Sequence, residues 1–340
     1  MRRALRWTGR GLLLVVVLAV GALLTVGRPL LFGPRARPLT ARTFEATEAR
    51  LARGEYLVEG VAHCFQCHSD HDITKVELPI KEGMKGAGWL MEQAPGLGTV
   101  IAPNITPDKE TGIGNWTDDE IARAIREGVS RDGRALFAIM PYQNFRAMSD
   151  EDLASVVVYL RTVPAVRNVV PRTQLEFPLS RIVNTMPQPL EEPVPEPSPE
   201  ARGAYLVKMA ECETCHTPAV QGSPIPGLAF AGGFEFRIPG STARPIVSAN
   251  ITPDPSGIAH YDEALFEQVM RTGRLPGRQL SGIMPFAHLA RLSPEDMKAI
   301  FAQIKAQKPV QHRVSNTDEP TDCVLCGITH GRGSLNVKTN

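Results

Sequence analysis

The sequence lacks an excess of charge of either sign. Its 340 residues include 37 Lys and Arg against 36 Asp and Glu, a formal net charge of +1. Proteins that bind nucleic acid or another polyanion usually carry a field of positive charge, so this balance argues against nucleic acid as a partner. Hydrophobic residues make up 43% of the chain, which is a globular composition and, at this length, enough for two ordinary domains.

The N-terminal region lacks the small-residue cleavage pattern of a removable signal peptide. Four arginines precede an apolar run from Gly11 to Gly27, which is at the short end of what spans a bilayer. We therefore expect residues 1–32 to be an uncleaved signal anchor and transmembrane helix, with a cleaved signal peptide as the alternative. Residues 33–50 are then a linker.

Cysteine is absent outside three C-x-x-C pairs, at Cys64/Cys67, Cys212/Cys215 and Cys323/Cys326. A C-x-x-C pair alone fits a redox disulfide, a zinc site or a haem site. When histidine follows at once, the pentapeptide is typical of covalent c-type haem attachment. Histidine follows only the first two pairs.

The two complete motifs predict two covalently bound haem c groups. In each, both thiols add to the haem vinyl groups and the histidine is the proximal iron ligand. The predicted attachment residues are Cys64, Cys67, His68, Cys212, Cys215 and His216.

An internal repeat of roughly 110 residues organises the rest of the chain. The two copies share, in the same order and at nearly equal spacings, an Arg-Gly-x-Tyr-Leu-Val segment, the attachment motif, Asn-Ile-Thr-Pro-Asp, Gly-Arg and Met-Pro. The copies predict two cytochrome c domains, at 51–166 and 201–310. The composition of 167–200, which is rich in proline, favours an extended, semi-rigid linker, and 311–340 is a polar C-terminal tail.

The repeated methionines, Met140 and Met284, are the predicted sixth iron ligands. Thioether sulfur is a soft ligand that raises the haem potential, as in cytochromes c that carry electrons. The alternative is that they fill gaps in the core. The remaining candidates are predicted to be surface or packing histidines; they are His63, His71, His260 and His288.

Other repeated positions suggest supporting roles. Trp116 and Tyr261, and also Arg134 and Arg278, are candidate donors to haem propionates, although a solvated loop charge explains the arginines equally well. Capping signals predict helices that begin after Thr117, Ser149 and Ser293. These helices make the predicted fold mainly α, with two tandem class I-like cytochrome c domains after the transmembrane helix.

The third pair, Cys323 and Cys326, is followed by Gly327 and too few residues for a haem domain. A disulfide is the default expectation in an oxidising compartment. A metal site with His330 or His312 and a decayed third attachment site are the alternatives.

The chain resembles the cytochrome c subunits of membrane-bound alcohol and gluconate dehydrogenases. The resemblance is carried by the stretch from Asn104 to Trp116, by Met140-Pro141-Tyr142 and by the helix start from Met148 to Leu153. That family takes electrons from a periplasmic dehydrogenase and passes them toward quinone or an oxidase. Its members typically have three haem units, whereas this chain has two attachment motifs.

These inferences predict an electron-transfer protein rather than an enzyme. It would relay single electrons between redox partners, such as a dehydrogenase, an oxidase, a soluble cytochrome or quinone. Its anchor would place it in the bacterial inner membrane as a single-pass protein with the haem domains in the periplasm. One alternative is a peroxidase-like dihaem enzyme with one open haem site, and another is an assembly or docking subunit that binds haem for structure.

Overall fold

The computed structural model describes residues 13–18, 21, 27–238 and 240–337. Helices account for only 34% of residues and strands for 13%. The prediction of a mainly α-helical fold is therefore wrong. Apart from one ten-residue helix in each, the long stretches between the attachment motifs and their methionines fold as short hairpins and irregular loops, because frequent glycine and proline interrupt helical periodicity there.

The predicted membrane anchor also requires correction. Within the described ranges, no helix is long and apolar enough to cross a bilayer. The prediction of a transmembrane helix, and with it of a single-pass inner-membrane protein, is overturned by this finding. Much of the predicted span, namely residues 1–12, 19–20 and 22–26, lies outside the described residues.

The first half begins with a short helix, and its second helix ends in a π turn at Leu57–Val61. An antiparallel sheet of three short strands lies beside the helices. The elements of this half are α1 (Arg28–Phe32), α2 (Glu48–Tyr56), α3 (Cys64–Cys67), β1 (Trp89–Ala94), β2 (Gly98–Ala102), α4 (Asp118–Glu127), α5 (Tyr142–Phe145), α6 (Asp150–Leu160), β3 (Gln174–Leu175) and α7 (Leu179–Ile182).

The second half repeats the order of the main helices, but it has two short hairpins where the first half has only isolated bridges, and it ends in a further hairpin. Its elements are α8 (Arg202–Met209), α9 (Cys212–His216), β4 (Ala219–Val220), β5 (Ser223–Pro224), β6 (Glu235–Phe236), β7 (Ile246–Val247), α10 (Glu263–Thr272), β8 (Arg274–Leu275), β9 (Arg278–Gln279), α11 (Phe286–Leu289), α12 (Pro294–Lys305), β10 (Ser315–Asp322) and β11 (Thr329–Gly331).

The three capped helices are confirmed. Thr117 and Glu120 form a reciprocal capping box at the start of α4. The hydroxyls of Ser149 and Ser293 accept from the backbone N–H of Asp152 and Asp296 at the starts of α6 and α12. Each cap satisfies a backbone donor that would otherwise be left without a partner at a helix N-terminus.

In each half the helix before the attachment motif packs closely against the closing helix, and glycine permits the approach. A Cβ on Gly54 would lie 2.1 Å from the Ser155 carbonyl oxygen, and one on Gly203 would lie 2.5 Å from that of Ala299. Any side chain here would push the two helices apart. The repeated Arg-Gly dipeptide therefore marks the contact between helices α2 and α6, and between α8 and α12.

The two halves are joined by an exchange of tyrosine hydrogen bonds. Tyr56 in the first half donates to Asp296 Oδ2 in the second at 2.5 Å, and Tyr205 in the second donates to Asp152 Oδ2 in the first at 2.6 Å. Both aspartates are buried. The arginine three residues before each tyrosine, Arg53 or Arg202, pairs instead with the aspartate of its own half. The exchange is reciprocal, as at an isologous interface.

The segment 167–200 packs along the first half. Its strand β3 pairs with β2, and Arg146 donates to the carbonyl oxygens of Gln188 and Pro189 at 2.7 and 2.6 Å. Nearby, Ser149 Oγ donates to Glu196 at 2.6 Å. These bonds hold the segment against the start of α6, so its path is set by the first half.

A strap of residues 33–47 is fastened to helix α4 by Asp119. This carboxylate is fully buried and accepts bonds from the side chains of Arg37, Thr40 and Arg42 and from the Thr40 N–H. Burial raises the pKa of Asp119, but the hydrogen bonds from Arg37, Thr40 and Arg42 outweigh it and hold the pKa well below its usual range. Asp119 is therefore ionised and anchors the strap.

Candidate functional site

Each attachment motif forms one short helical turn after a residue in the left-handed backbone region. His63 has φ 34° before Cys64, and Glu211 has φ 59° before Cys212. The turn places the two thiols of a motif, three residues apart, on one helical turn and the histidine at its end. This is the compact arrangement that attachment to a single planar group requires.

The two motif histidines are oriented by backbone carbonyls. His68 Nδ1 lies 2.8 Å from the Pro103 oxygen, and His216 Nδ1 lies 2.7 Å from the Ala249 oxygen. A carbonyl only accepts, so Nδ1 carries the proton in both rings and Nε2 keeps its lone pair. Burial lowers the pKa of both histidines, which favours this neutral form. Each ring is thus prepared to donate Nε2 to iron.

The sequence analysis did not predict the roles of Pro103 and Ala249. Both act through their backbone carbonyl groups, which every residue has, so the residue type gives no indication of the role. A signal did exist: both residues immediately precede the repeated Asn-Ile-Thr-Pro-Asp segment. Asn104 and Asn250 fix that segment, since each side chain accepts from the threonine two residues on. Each also donates to a carbonyl just after the closing helix, at Val166 or Val310. The segment therefore sets the position of the carbonyl that orients the histidine.

A cavity of about 2750 Å³ opens beside the first motif, and it extends to the second. Cys64, Cys67, His68 and Met140 line it from the first half, and Cys215 lines it from the second. Of the other predicted residues, Cys212 and His216 are buried, and Met284 packs half-buried against the main core. The structure thus brings all four predicted haem ligands and attachment residues of the first half to one cavity. Of the four predicted in the second half, only Cys215 lines that cavity.

The surroundings of the motif thiols suit a neutral sulfur. Burial raises the pKa of Cys64 to about 12 and that of Cys212 to about 12, with smaller contributions from Cys67 and Glu211 respectively. A thiolate is disfavoured at both positions. An uncharged thioether, the form that cysteine takes when it is bonded to haem c, fits this environment. The residues present therefore fit haem c.

The two motifs are in contact with each other's methionine loops. Gln66, in the middle of the first motif, donates to the carbonyl of Gly282 at 3.1 Å, two residues before Met284. Asn144, four residues after Met140, donates to Thr214 Oγ1 in the second motif at 2.8 Å. Gln66 and Thr214 occupy the same place in their motifs. The two candidate sites therefore face each other across the interface between the halves.

The remaining histidines have other partners. His63 Nδ1 faces the Val61 carbonyl, and both ring nitrogens of His71 face carbonyls. His288 Nδ1 lies 2.8 Å from the Glu59 oxygen across the interface. All three are buried packing residues, and His260 is exposed.

Of the four candidate donors to haem propionates, only the two in the first half line the cavity. Trp116 and Arg134 both line the cavity, but Arg134 is exposed and pairs with Asp132 at 2.8 Å. Arg278 is exposed as well, and Tyr261 packs against the core. The pairing of Arg134 agrees with a solvated loop charge.

Comparison with known proteins identifies relatives along most of the chain. The gluconate 2-dehydrogenase cytochrome c subunit of Pantoea cypripedii is 31% identical over 285 residues, which are 77% of this chain and 60% of that protein. The cytochrome c subunit of the quinone-dependent alcohol dehydrogenase of Gluconobacter oxydans is 27% identical over 288 residues, covering 79% of this chain and 57% of that protein. This chain therefore spans a little over half the length of these subunits.

A third relative matches almost end to end. A protein described as a diheme cytochrome c-type, from Cereibacter sphaeroides, is 27% identical over 321 residues, which are 90% of this chain and 98% of that protein. No family model matches the chain.

The motifs, with their buried and oriented histidines, are of the kind that attaches haem c covalently, and the relatives are c-type cytochromes, which implies haem c as the cofactor. Within that class, the chain is a homologue of the cytochrome c subunits of gluconate, alcohol and fructose dehydrogenases and of the dihaem cytochrome c. The resemblance seen in the sequence is confirmed. These relatives support a haem-based electron-transfer role.

Proposed function

We propose that the chain is a dihaem electron carrier that relays single electrons from a dehydrogenase to a respiratory acceptor. One haem c is held by Cys64, Cys67 and His68, and the other by Cys212, Cys215 and His216. Met140 and Met284 complete the two iron coordination spheres. Haem c with histidine and methionine ligands supplies one-electron chemistry at a raised potential.

The observation that carries this proposal is the crossed contact between the two sites. Gln66 of the first motif bonds to the loop before Met284, and Asn144 of the other methionine loop bonds to Thr214 of the second motif. Two independent haem domains would not need this arrangement. A relay does, because electrons must cross from one half to the other within one chain.

The residues around each site hold its geometry fixed. The carbonyls of Pro103 and Ala249 keep the proximal rings in one tautomer and orientation. Buried aliphatic and aromatic side chains from both halves form one continuous core beside the motifs. A fixed environment suits electron transfer, since little has to rearrange when the charge changes.

The proposed donor is a sugar or alcohol dehydrogenase. The relatives of this chain are named as cytochrome subunits of gluconate, alcohol and fructose dehydrogenases. The acceptor is an oxidase, a soluble cytochrome or quinone. Because this chain spans only part of those subunits, its donor surface has to be established on the protein itself.

The test is a haem count combined with carbon monoxide binding to the dithionite-reduced protein. We expect two haems per chain and no spectral shift with carbon monoxide, because histidine and methionine occupy both axial positions. The variants Met140→Ala and Met284→Ala should each open one site to carbon monoxide. Met297→Leu, at a buried methionine that does not line the cavity, is the matched control and should not.

Carbon monoxide binding by the unaltered protein would contradict the carrier proposal. If one haem binds it readily, that iron has an open position and the chain is a dihaem enzyme of the peroxidase-like kind. A count of one haem would contradict the assignment of the second motif.

A further inference from the structure

Four buried side chains converge in the C-terminal region, away from the two attachment motifs. They are His312, Cys323, Cys326 and His330. Each offers one nitrogen or sulfur atom, and these atoms all lie within 4.8 Å of one another. All four residues are at most 3% exposed. Within the described part of the chain, no other group of His, Cys, Asp or Glu was found with this geometry.

The separations match the edges of a tetrahedral metal site. Cys323 Sγ lies 3.4 Å from His312 Nε2, and Cys326 Sγ lies 3.3 Å from His330 Nε2. A tetrahedral zinc ion, about 2.3 Å from sulfur and about 2.0 Å from nitrogen, separates those two ligand atoms by roughly 3.5 Å. Little movement would be needed to bind the ion.

The outer hydrogen bonds direct the ligand atoms inward. His312 Nδ1 donates to the Ala231 carbonyl and His330 Nδ1 donates to the Gly331 carbonyl, both at 2.9 Å. Both rings therefore carry the proton on Nδ1 and present the Nε2 lone pair to the sulfurs. Asn336 Nδ2 lies 3.4 Å from Cys323 Sγ, where it would stabilise a thiolate. Such partners are the usual support of a metal-bound histidine or cysteine.

The turn that contains the two cysteines also positions their sulfurs for metal binding. The Gly327 N–H donates to the Cys323 carbonyl at 2.9 Å, and the Cys323 N–H donates to the Ile328 carbonyl at 3.0 Å. Gly327 has φ 76°, a conformation that residues with side chains rarely adopt. The turn places both sulfurs on the same side, facing the two imidazoles.

We propose that His312, Cys323, Cys326 and His330 bind a structural zinc ion. A disulfide between the cysteines would account for the two sulfurs. It would not account for the two fully buried histidines, whose unprotonated nitrogens face those sulfurs. Two sulfur and two nitrogen ligands in a tetrahedron select zinc among common divalent ions. All four positions are filled by the protein, so the ion is structural rather than catalytic.

The site secures the loop behind the second attachment motif. A Cβ on Gly233 would lie 2.8 Å from His312 Cε1, so the imidazole packs directly on this loop. The neighbouring Gly232 N–H donates to the His216 carbonyl at 2.7 Å. Zinc bound to His312 would therefore hold the C-terminal segment 311–337 against the chain that supports His216.

The experiment measures zinc and iron per chain in the purified full-length holoprotein, together with zinc K-edge absorption. We expect one zinc per chain, with two sulfur and two nitrogen neighbours. Cys323→Ser and His330→Gln should each lose the zinc and keep the haem iron. His260→Gln, at an exposed histidine in the same half, is the matched control and should keep both.

Alkylation of the denatured, unreduced protein separates zinc from a disulfide. Two reactive thiols per chain are expected after zinc is released. A preparation without zinc in which Cys323 and Cys326 resist alkylation would overturn the proposal, as would zinc with only oxygen and nitrogen neighbours. The absorption measurement needs only the unaltered protein, so it decides even if the variants fail to fold. Iron content reports on the haem assignments separately.

Discussion

Asn168 and His312 occupy the same place in the two halves, and the difference between them shows how a repeat acquires a new feature. Asn168 donates to the Ala87 carbonyl at 2.9 Å, as His312 does to that of Ala231. The Asn168 amide donates this hydrogen bond and offers no second ring nitrogen. The His312 imidazole makes the same bond and still has Nε2 available for a metal, so histidine at this position keeps the hydrogen bond and adds a ligand.

The edges of the two hairpins are covered in correspondingly different ways. In the first half, strand β3 from the segment after the closing helix pairs with β2. In the second half, Asn316 exchanges two side-chain bonds with Val247 of β7, both at 2.8 Å. Both halves thus use the chain that follows the closing helix to protect an exposed strand edge. Only in the second half does that chain go on to form the cysteine and histidine cluster.

The largest effect is expected from removing the attachment thiols of one half at a time. Cys64→Ser with Cys67→Ser, and Cys212→Ser with Cys215→Ser, should each reduce the haem count from two to one, because the thioether bonds are lost. A pyridine haemochrome assay against protein concentration measures the count. If either double variant retains two haems, that motif does not attach haem covalently.

A second comparison concerns Asp119 and its counterpart Ala264. Asp119→Asn should lower the free energy of unfolding by about 3 kcal/mol, because it removes the fully buried carboxylate that Arg37 and Arg42 pair with. Ala264→Asn, at an exposed position in α10, is the matched control and should change it by less than about 0.5 kcal/mol. Denaturant unfolding measures both. Equal effects would mean that the strap adds no stability.

The contribution of Asp119 should also depend on pH. Its pKa is lower in the folded protein than in the unfolded chain, so its stabilisation is complete above the unfolded value of about 3.9 and is lost as the pH falls below it. The difference in unfolding free energy between the unaltered protein and Asp119→Asn should shrink from neutral pH to pH values below about 3.9. A constant difference over that range would contradict the assignment.

A smaller and symmetrical effect is expected from the exchanged tyrosines. Tyr56→Phe and Tyr205→Phe each remove one hydrogen bond to a buried carboxylate and should each cost about 1.5–3 kcal/mol. Tyr261→Phe, outside the interface, serves as the control. Because the two bonds are equivalent across the interface, the two costs should agree in denaturant unfolding. A loss confined to one variant would show that the halves are not joined symmetrically.

The smallest effect is expected at the helix caps. Thr117→Ala and Asp262→Ala remove the side chains that accept from the third residue of α4 and α10 and should each cost about 1 kcal/mol. The loss at Thr117 should be the larger, because Glu120 there bonds back to the cap residue. Thermal unfolding of the two variants ranks them. A larger loss at Asp262 would contradict the role of the capping box.

Local signals in the sequence predicted much of this structure correctly. The capping box at Thr117, the caps at Ser149 and Ser293 and the homology to dehydrogenase cytochrome subunits are all confirmed. These features depend on residues a few positions apart, so their chemistry is visible in the chain itself.

The features that were missed depend on residues far apart in the chain. Arg146 bonds the proline-rich segment through backbone carbonyls, and the Pro103 carbonyl orients His68, so residue type gave no indication. A metal site with His330 or His312 was an alternative for the third cysteine pair, but the convergence of both histidines on it depends on the hairpin between β10 and β11, which composition alone does not reveal. The prediction of a membrane anchor was wrong, since no helix among the described residues is long and apolar enough to cross a bilayer.

The most direct test of the central claim, that the two haem sites face each other across the interface, is electron paramagnetic resonance of the oxidised protein. The spectrum of the unaltered chain is compared with the sum of spectra from the two single-haem variants. We predict that the unaltered spectrum is broadened by magnetic coupling between nearby irons and differs from that sum. A spectrum equal to the sum would mean that the haems are too far apart to form a relay.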